Sequence, residues 1–446
     1  MKSAFAKRLK ILKKWQIYNI FKGKSLKTIN IGIIGLGTVG SAVVELLLAN
    51  KDIITARTGA NIVIKKGVAK DISKLKSKIP LSQNIDDILN DDEISVVIEL
   101  MGGVEQAYEV AKKALQKGKA FITANKAMLA YHRYDLMQIT KDAPICFEAS
   151  VAGGIPIIKA LRDGLSANHI LNIRGILNGT CNYILTKMAS EGVSFESALK
   201  EAQNLGYAEA NPSLDIDGFD AAHKLVILSS IAFGIDTKPE NILIEGICGI
   251  SQDDIFFAKE FGYTIKLLAL AKRVGREVEI RVHLAMIDSD EMISKVNGVM
   301  NGISVIGDRV GETMYYGAGA GGNATASAVV GDLIEIARSK SSPMLGFKAP
   351  LERGLKLKDI DSIESRYYLR LKVLDKAGTL AQITKALGAH NISIKMLIQR
   401  ESEDKKEAIL LLSTHKSVEC DMQKAIDALC NLEVVTQKPF MIRIEE

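Results

Sequence analysis

From Asn30 onward the chain alternates short apolar runs with amphipathic stretches. INIGIIGLGTVGSAVVELLLAN reads as a buried strand, a tight glycine turn and a helix. NIVIKKGVAKD, ISVVIELMGG and KAFITAN read as further strands, and AYEVAKKALQKG as a helix that stops at Gly118. Strand and helix taken in turn predict a doubly wound parallel sheet over residues 29–150.

Residues 151–340 read as mixed α/β. NHILNIRGILNG is a strand, and SFESALKEAQNLG is a helix with Gly206 at its C-cap. DAAHKLVILSSIAFG is a strongly apolar helix, and NATASAVVGDLIEIARSK a helix that opens after a glycine-rich turn. The stretch 341–362 holds two prolines and no steady period, which predicts a linker. Residues 363–446 then run strand, helix, strand, strand, helix, strand, the order of a ferredoxin-like module.

A chain of 446 residues exceeds one core and suits two or three domains. With 47% hydrophobic and 25% charged residues its composition is that of a globular protein. No apolar run reaches the roughly 18 residues that span a bilayer. Cys146, Cys181, Cys248, Cys420 and Cys430 are dispersed and form no C-x-x-C pair, which argues against a disulfide framework or zinc site and fits a reducing cytoplasm. The net charge of +6 comes from residues 1–28, which hold nine Lys/Arg and no acid. The rest carries 49 basic against 52 acidic residues and has no nucleic-acid signature. The basic segment 1–28 interleaves Leu, Ile, Trp and Phe and lacks the pattern of a secretory signal. A plain extension is the simpler account of it, and a helix touching anionic lipid the alternative.

The turn after the first strand is Gly35-Leu36-Gly37-Thr38-Val39-Gly40. In this Rossmann-type context the first glycine permits the turn, the second lets a pyrophosphate approach and the third packs the helix on the sheet. The second strand ends in Lys65, Lys66, Lys70 and Asp71; Lys70 fits a 2′-phosphate, and a solvated basic turn fits equally well. TANKAML puts Asn125 and Lys126 outside the carboxyl end of a strand, where open α/β sheets bind ligands. By position alone Lys126 is a surface lysine.

LDIDGFDAAHK, from Leu214 to Lys224, resembles a calcium loop until its twelfth position, which is Lys224 where a glutamate is needed. As a helix it puts Asp220 and Lys224 on one face, four residues apart, ahead of an apolar run. Such a pair is a tunable proton donor if buried and an ordinary ion pair if exposed. The segment alone favours the ordinary pair.

AQNLGYAEANPSLDIDGFDAAHK, TANKAMLA, FEASVAGGIPII, GILNGTCNYIL and GAGAGGNATASAVVGD occur in an order that resembles bacterial homoserine dehydrogenase with a C-terminal ACT domain, from about residue 29 onward. The resemblance implies reversible reduction of L-aspartate 4-semialdehyde to L-homoserine with NADP or NAD, on the route to threonine, methionine and isoleucine. It implies Lys224 as proton donor, Asp220 as its orienting partner and Glu209 as the site for the substrate ammonium. Tyr207, Gly179, Thr180 and Asp215 would line the substrate pocket, with Lys126 near substrate or nicotinamide. Met101, Gly102 and Gly321 would face the cofactor. Glu148 and the carbonyls of Val151, Gly153 and Ile155 would hold a monovalent cation, with sodium expected. Asp375, Gly378 and Asn391 of the ACT domain would bind an effector, with threonine expected, in a homodimer or homotetramer; a purely structural module is the alternative. Asp217 is expected to cap its helix, and His223 carries no role.

Cys181, where the family often has Thr, raises a rival: an aldehyde-oxidising enzyme using a thiol nucleophile. A second rival is an amino-acid sensor on an inactive dehydrogenase scaffold, which the intact Lys224, Asp220 and Glu209 disfavour.

Overall fold

The computed structural model describes residues 26–445 apart from 74, 76, 77, 141, 339–342, 352–353 and 402–405. The basic extension expected over 1–28 lies outside the described residues as far as position 25, and Lys27 and Thr28 already belong to the first strand.

Six strands form a wholly parallel sheet: β1 (Lys27–Ile34), β2 (Ala60–Val68), β3 (Leu81–Ser82), β4 (Val96–Glu99), β5 (Ala120–Thr123) and β6 (Ile145–Cys146). Their spatial order is β3-β2-β1-β4-β5-β6, so the strand order reverses beside β1 and leaves a crevice at the carboxyl ends of β1 and β4. All four residues of β4 and of β5 are buried, because helices cover both faces.

The second sheet is built from β7 (Ile170–Ile176), β8 (Leu243–Ile244), β9 (Tyr263–Val274), β10 (Glu277–Asp288), β11 (Met300–Gly307) and β12 (Gly311–Ala318). It continues through β13 (Lys356–Leu357), β14 (Glu364–Leu374), β15 (Ile394–Glu401), β16 (Glu407–Thr414), β17 (Ser417–Val418) and β18 (Phe440–Ile444). The main path runs β12-β11-β7-β9-β10-β18-β14-β16-β15. The last four strands have the ferredoxin-like arrangement that the sequence predicts. They do not form a detached sheet, however. β18 pairs in parallel with β10 at Ala285↔Arg443 and Met286↔Ile444, so module and body share one sheet.

The stretch read as a linker is packed rather than free. Met344 and Leu345 are buried in the main core, and β13 runs beside β10. A short parallel pairing and two anchor side chains leave no hydrophobic period to detect. Among the described residues no helix is long and apolar enough to cross a membrane, and all five cysteines are free.

Candidate active site

The glycine turn is shaped by close backbone approach. Gly35 has φ +98° and lies against the Leu100 carbonyl, where a Cβ would come within 2.5 Å. A Cβ on Gly40 would sit 2.0 Å from the Gly35 carbonyl, so helix Thr38–Ala49 approaches the turn only with glycine there. Gly37 meets nothing within 4 Å and starts that helix with no side-chain cap, leaving open space and free amides. Leu36 is buried and anchors the turn, while Thr38 and Val39 form the first helical residues. Lys65 pairs with Glu93 and Lys66 with Asp87 at 3.6 Å. Only Lys70 stands beyond the end of β2, exposed, with its carbonyl accepting from Gln83 Nε2 at 2.8 Å.

At the crevice, Met101 and Gly102 follow β4, and Gly102 has open space around it. Glu99 holds this turn: its carboxylate accepts from the Met101 amide at 2.6 Å and from Thr123 Oγ1 at 2.6 Å. Asn125 caps helix Lys126–Ile139 and donates to the Gly103 carbonyl at 2.6 Å. Both features fix the loop that rims the crevice.

A cavity of about 690 Å³ opens between the two sheets, lined by Val39, Met101 and Lys126 from one side and Asn178, Gly179, Thr180, Tyr207, Glu209, Asp215, Asp220, Lys224 and Gly321 from the other. Helix Phe219–Phe233 starts from Gly218 at φ +88° with no side-chain cap, so Asp217 does not serve as the expected cap. The left-handed glycine turns the chain and points Asp220 inward. Asp220 Oδ2 accepts from Lys224 Nζ at 2.7 Å and from Asn178 Nδ2 at 2.9 Å, and its other oxygen pairs with Lys126 Nζ. Lys224 Nζ also donates to the Leu177 carbonyl at 2.6 Å. The simpler account of the pair as a surface bridge is therefore overturned: both side chains are over 90% buried.

The two lysines differ in kind. Burial lowers the proton affinity of Lys224, and the nearby carboxylate offsets this only in part. Burial also opposes the charge of Lys126, but Asp220, Asp215 and Glu209 outweigh it and raise its pKa. Asp220 pays for burial too, yet the two lysines hold its carboxyl well below the usual range. The same carboxylate thus sits between one lysine of lowered and one of raised proton affinity.

Asn178 was missed in the sequence, although it precedes a helix and has the side chain of a cap. Its Oδ1 accepts from the Cys181 amide at 2.8 Å, and its Nδ2 donates to both Asp215 (2.7 Å) and Asp220. Asn301, also missed, donates to the Leu177 carbonyl at 3.0 Å beside Lys224. Thr180 Oγ1 donates to the Tyr207 carbonyl at 2.6 Å, tying the 207–209 loop to helix Gly179–Glu191. Burial raises the pKa of Asp215. Glu209 is exposed at the cavity mouth and its carboxylate carries no hydrogen bond among the described residues.

Cys181 is fully buried, its thiol donates to the Asp215 carbonyl at 3.1 Å, and burial beside Asp215 and Asp220 pushes its pKa well up. That is the reverse of an activated nucleophile. His223 packs edge-on against Tyr131, and burial lowers its proton affinity.

The 148–155 loop carries two left-handed residues in succession, Ala152 (φ +54°) and Gly153 (φ +52°). No donor among the described residues reaches the buried carbonyls of Val151 and Gly153, which suits a hard cation. The Glu148 carboxylate accepts from the amides of Ile158 (2.8 Å) and Lys159 (2.9 Å), and the Ile155 carbonyl from Ile157 at 2.8 Å. In the module, Asp375 and Gly378 precede helix Thr379–Ala389 and Asn391 follows it, so about 16 Å of helix separates them. One chain does not bring these three together.

The fold and cavity define the class of nicotinamide-dependent oxidoreductases, here with a buried Asp–Lys pair in the cavity wall. Comparison with known proteins gives the family. Family models match for homoserine dehydrogenase over residues 156–334, the homoserine dehydrogenase NAD-binding domain over 35–144 and the ACT domain over 367–434. A homoserine dehydrogenase of Helicobacter pylori is 57% identical over 94% of this chain and 99% of its own, and one of Pseudomonas aeruginosa is 42% identical over 94% and 100%. The crystal structure of a homoserine dehydrogenase from Thiobacillus denitrificans superposes with TM-score 0.87 at 40% identity, over 95% of this chain and 99% of that one. A hyperthermophilic archaeal homoserine dehydrogenase in complex with NADPH matches 71% of this chain and 99% of its own, with TM-score 0.61 and 28% identity. The chain belongs to the homoserine dehydrogenase family, oxidoreductases acting on a CH–OH group. Neither the aldehyde-oxidising rival nor the inactive sensor is favoured.

Two predictions follow from this geometry. Burial pushes the Glu99 carboxyl up from 4.5 to about 7, against the donors around it. Its folded pKa exceeds the unfolded one, so folding takes up a proton there and the stability it contributes falls as pH rises through that window. Glu99→Gln is expected to remove that slope, at most about 3 kcal/mol, read as the change in unfolding free energy between about pH 5 and about pH 8 in denaturant melts. Cys181→Ser is expected to keep turnover largely intact; complete loss in folded protein would restore the thiol mechanism.

Proposed function

We propose that the enzyme interconverts L-homoserine and L-aspartate 4-semialdehyde reversibly, in the biosynthesis of threonine, methionine and isoleucine in the cytoplasm. The observation that carries this reading is the buried Asp220–Lys224 pair at the cavity wall, with the proton affinity of Lys224 depressed. A bound nicotinamide supplies or accepts the hydride. As alkoxide charge builds on the aldehyde oxygen, the Lys224 ammonium stabilises it and then delivers a proton from Nζ. Asp220 fixes the direction of that N–H and keeps the ammonium charged until needed. Lys126 stays protonated beside it and holds the negative charge of Asp220 and the substrate in balance. Glu209, whose carboxylate carries no hydrogen bond among the described residues, binds the substrate ammonium. Tyr207, Gly179, Thr180 and Asp215 shape the pocket around the chain.

NADP is favoured over NAD, because among the described residues Lys65 and Lys66 pair with carboxylates while Lys70 is exposed beyond the end of β2 with no ion pair. A monovalent cation, sodium, fits the loop 148–155, held by the Val151 and Gly153 carbonyls with Ile155 and Glu148, and it would supply structural support. The ACT domain is proposed to bind threonine as feedback effector. Its effector residues lie at opposite ends of one helix, which supports a site shared between copies in a homodimer or homotetramer.

Steady-state homoserine oxidation with each cofactor, with and without L-threonine, tests the reading; no activity with either cofactor in folded protein would sink it. Lys224→Ala is expected to lower kcat by roughly 10² to 10⁴ with little change in KM. Lys70→Ala is expected to raise the KM for NADPH and leave that for NADH unchanged; equal effects on both would remove the 2′-phosphate role.

A further inference from the structure

The ACT module touches the body along strand β10 and along segment 245–254, and the second of these touches the backbone of the active site. Arg443 of β18 is fully buried and forks onto Glu245, with NH1 to Oε2 at 2.5 Å and NH2 to Oε1 at 3.2 Å. The same guanidinium grips Glu419 at the start of helix Glu419–Cys430, whose other donors are Tyr367 and Gln423. On the other side of the sheet Arg370 donates to the Gly249 carbonyl at 2.7 Å and, with Tyr368, to Asp254. The segment is therefore held at both ends by side chains of β14 and β18.

Its middle is pressed against the loop that carries Asp215 and Asp220. The Ile247 amide donates to the Ile216 carbonyl at 2.8 Å. A Cβ on Gly246 would lie 2.0 Å from that carbonyl and 2.6 Å from Asp217 Cα, and one on Gly218 would lie 3.1 Å from the Glu245 carbonyl. No give remains at this contact, so a displacement of Glu245 is passed to Ile216 and Gly218. These residues flank Asp217, between Asp215 and Asp220, whose carboxylates share the single Asn178 amide.

We infer that Glu245 is a positioning residue: it transmits the seating of the ACT module, through the Gly246–Ile216 backbone contact, to Asp215 and Asp220 and so to substrate affinity. The inference rests on the proposed reading of the Asp220–Lys224 site. It does not rest on the identity of the effector. Glu245 keeps 39% of its side-chain surface exposed, so its charge can be removed without emptying a core position.

The test uses the full-length enzyme. Glu245→Gln is expected to raise the KM for homoserine roughly five-fold or more, with kcat within about two-fold of wild type, the range of ordinary inter-site coupling. Hydrogen–deuterium exchange should quicken over residues 214–220 as well as at β18. Unchanged KM and unchanged exchange at 214–220, with faster exchange confined to β18, would overturn the inference. Gly246→Ala keeps every charge and loads the same contact, and it carries the test if Glu245→Gln does not fold: a wild-type KM in that variant would also overturn it. L-Threonine serves as a separate probe. A wild type indifferent to threonine, alongside a raised KM in Glu245→Gln, removes the effector reading and supports the relay. Threonine inhibition equal in wild type and variant, with no KM change, overturns the relay and supports the effector reading.

Discussion

A single buried carboxylate, Asp220, sets the chemistry of the cavity. Alone in that position it would take up a proton rather than stay charged. Two ammonium groups and the Asn178 amide keep it ionised, and its charge in turn makes the buried Lys224 tolerable beside the half-open Lys126. The arrangement is asymmetric by burial. The lysine on the same helix is enclosed and inclined to lose its proton; the one from the nucleotide-binding sheet is half open and keeps it. Each domain supplies one cation, so the balance is complete only when the domains are closed on one another.

That requirement explains the polar density at the domain junction. Asp332 accepts from the Glu148 amide at 2.8 Å and pairs with Lys159 at 3.0 Å, while Arg162 pairs with Glu335 at 2.7 Å. Buried pairs of this kind add little net stability relative to apolar packing, but losing one partner is costly. They favour a single seating of helix Gly322–Ala337 over neighbouring ones, and this helix follows the glycine segment that lines the cavity.

Much of this was legible in the sequence, for identifiable reasons. Strands β1, β2, β4 and β5 of the parallel sheet are legible because each is an apolar run, whereas β3 and β6 are two residues long and show no period. The ferredoxin-like module is legible because its strands and helices keep their periods. The packing of 341–362 was not, because two buried anchors and a two-residue strand leave no period. Asp220 and Lys224 were legible as neighbours on a helix, but their burial was not. It depends on β7, the Leu177 carbonyl and Lys126, which the sequence places 43 to 98 residues away. Asn178 and Asn301 stayed hidden for a similar reason: an asparagine has many roles, and only its partners in space select one. The three ACT positions share a sequence pattern yet lie at both ends of a helix, a separation that no pattern reveals.

The seam between β10 and β18 joins Ala285 to Arg443, positions 158 residues apart. Contacts so remote in sequence carry a large loop-closure cost and reward it only after local structure exists. The β14–β18 module has its own local contacts and its own core, and the seam adds two paired residues, a set of buried charges and the apolar side chains of Tyr368, Leu411, Ile442 and Ile444. Assembly should therefore proceed as two independent foldings followed by a docking step. Until that docking, the edge of β10 is bare, Arg443 lacks its Glu245 partner and Arg281 lacks Glu445, so the ion pairs that form on closure make the docking step sensitive to salt.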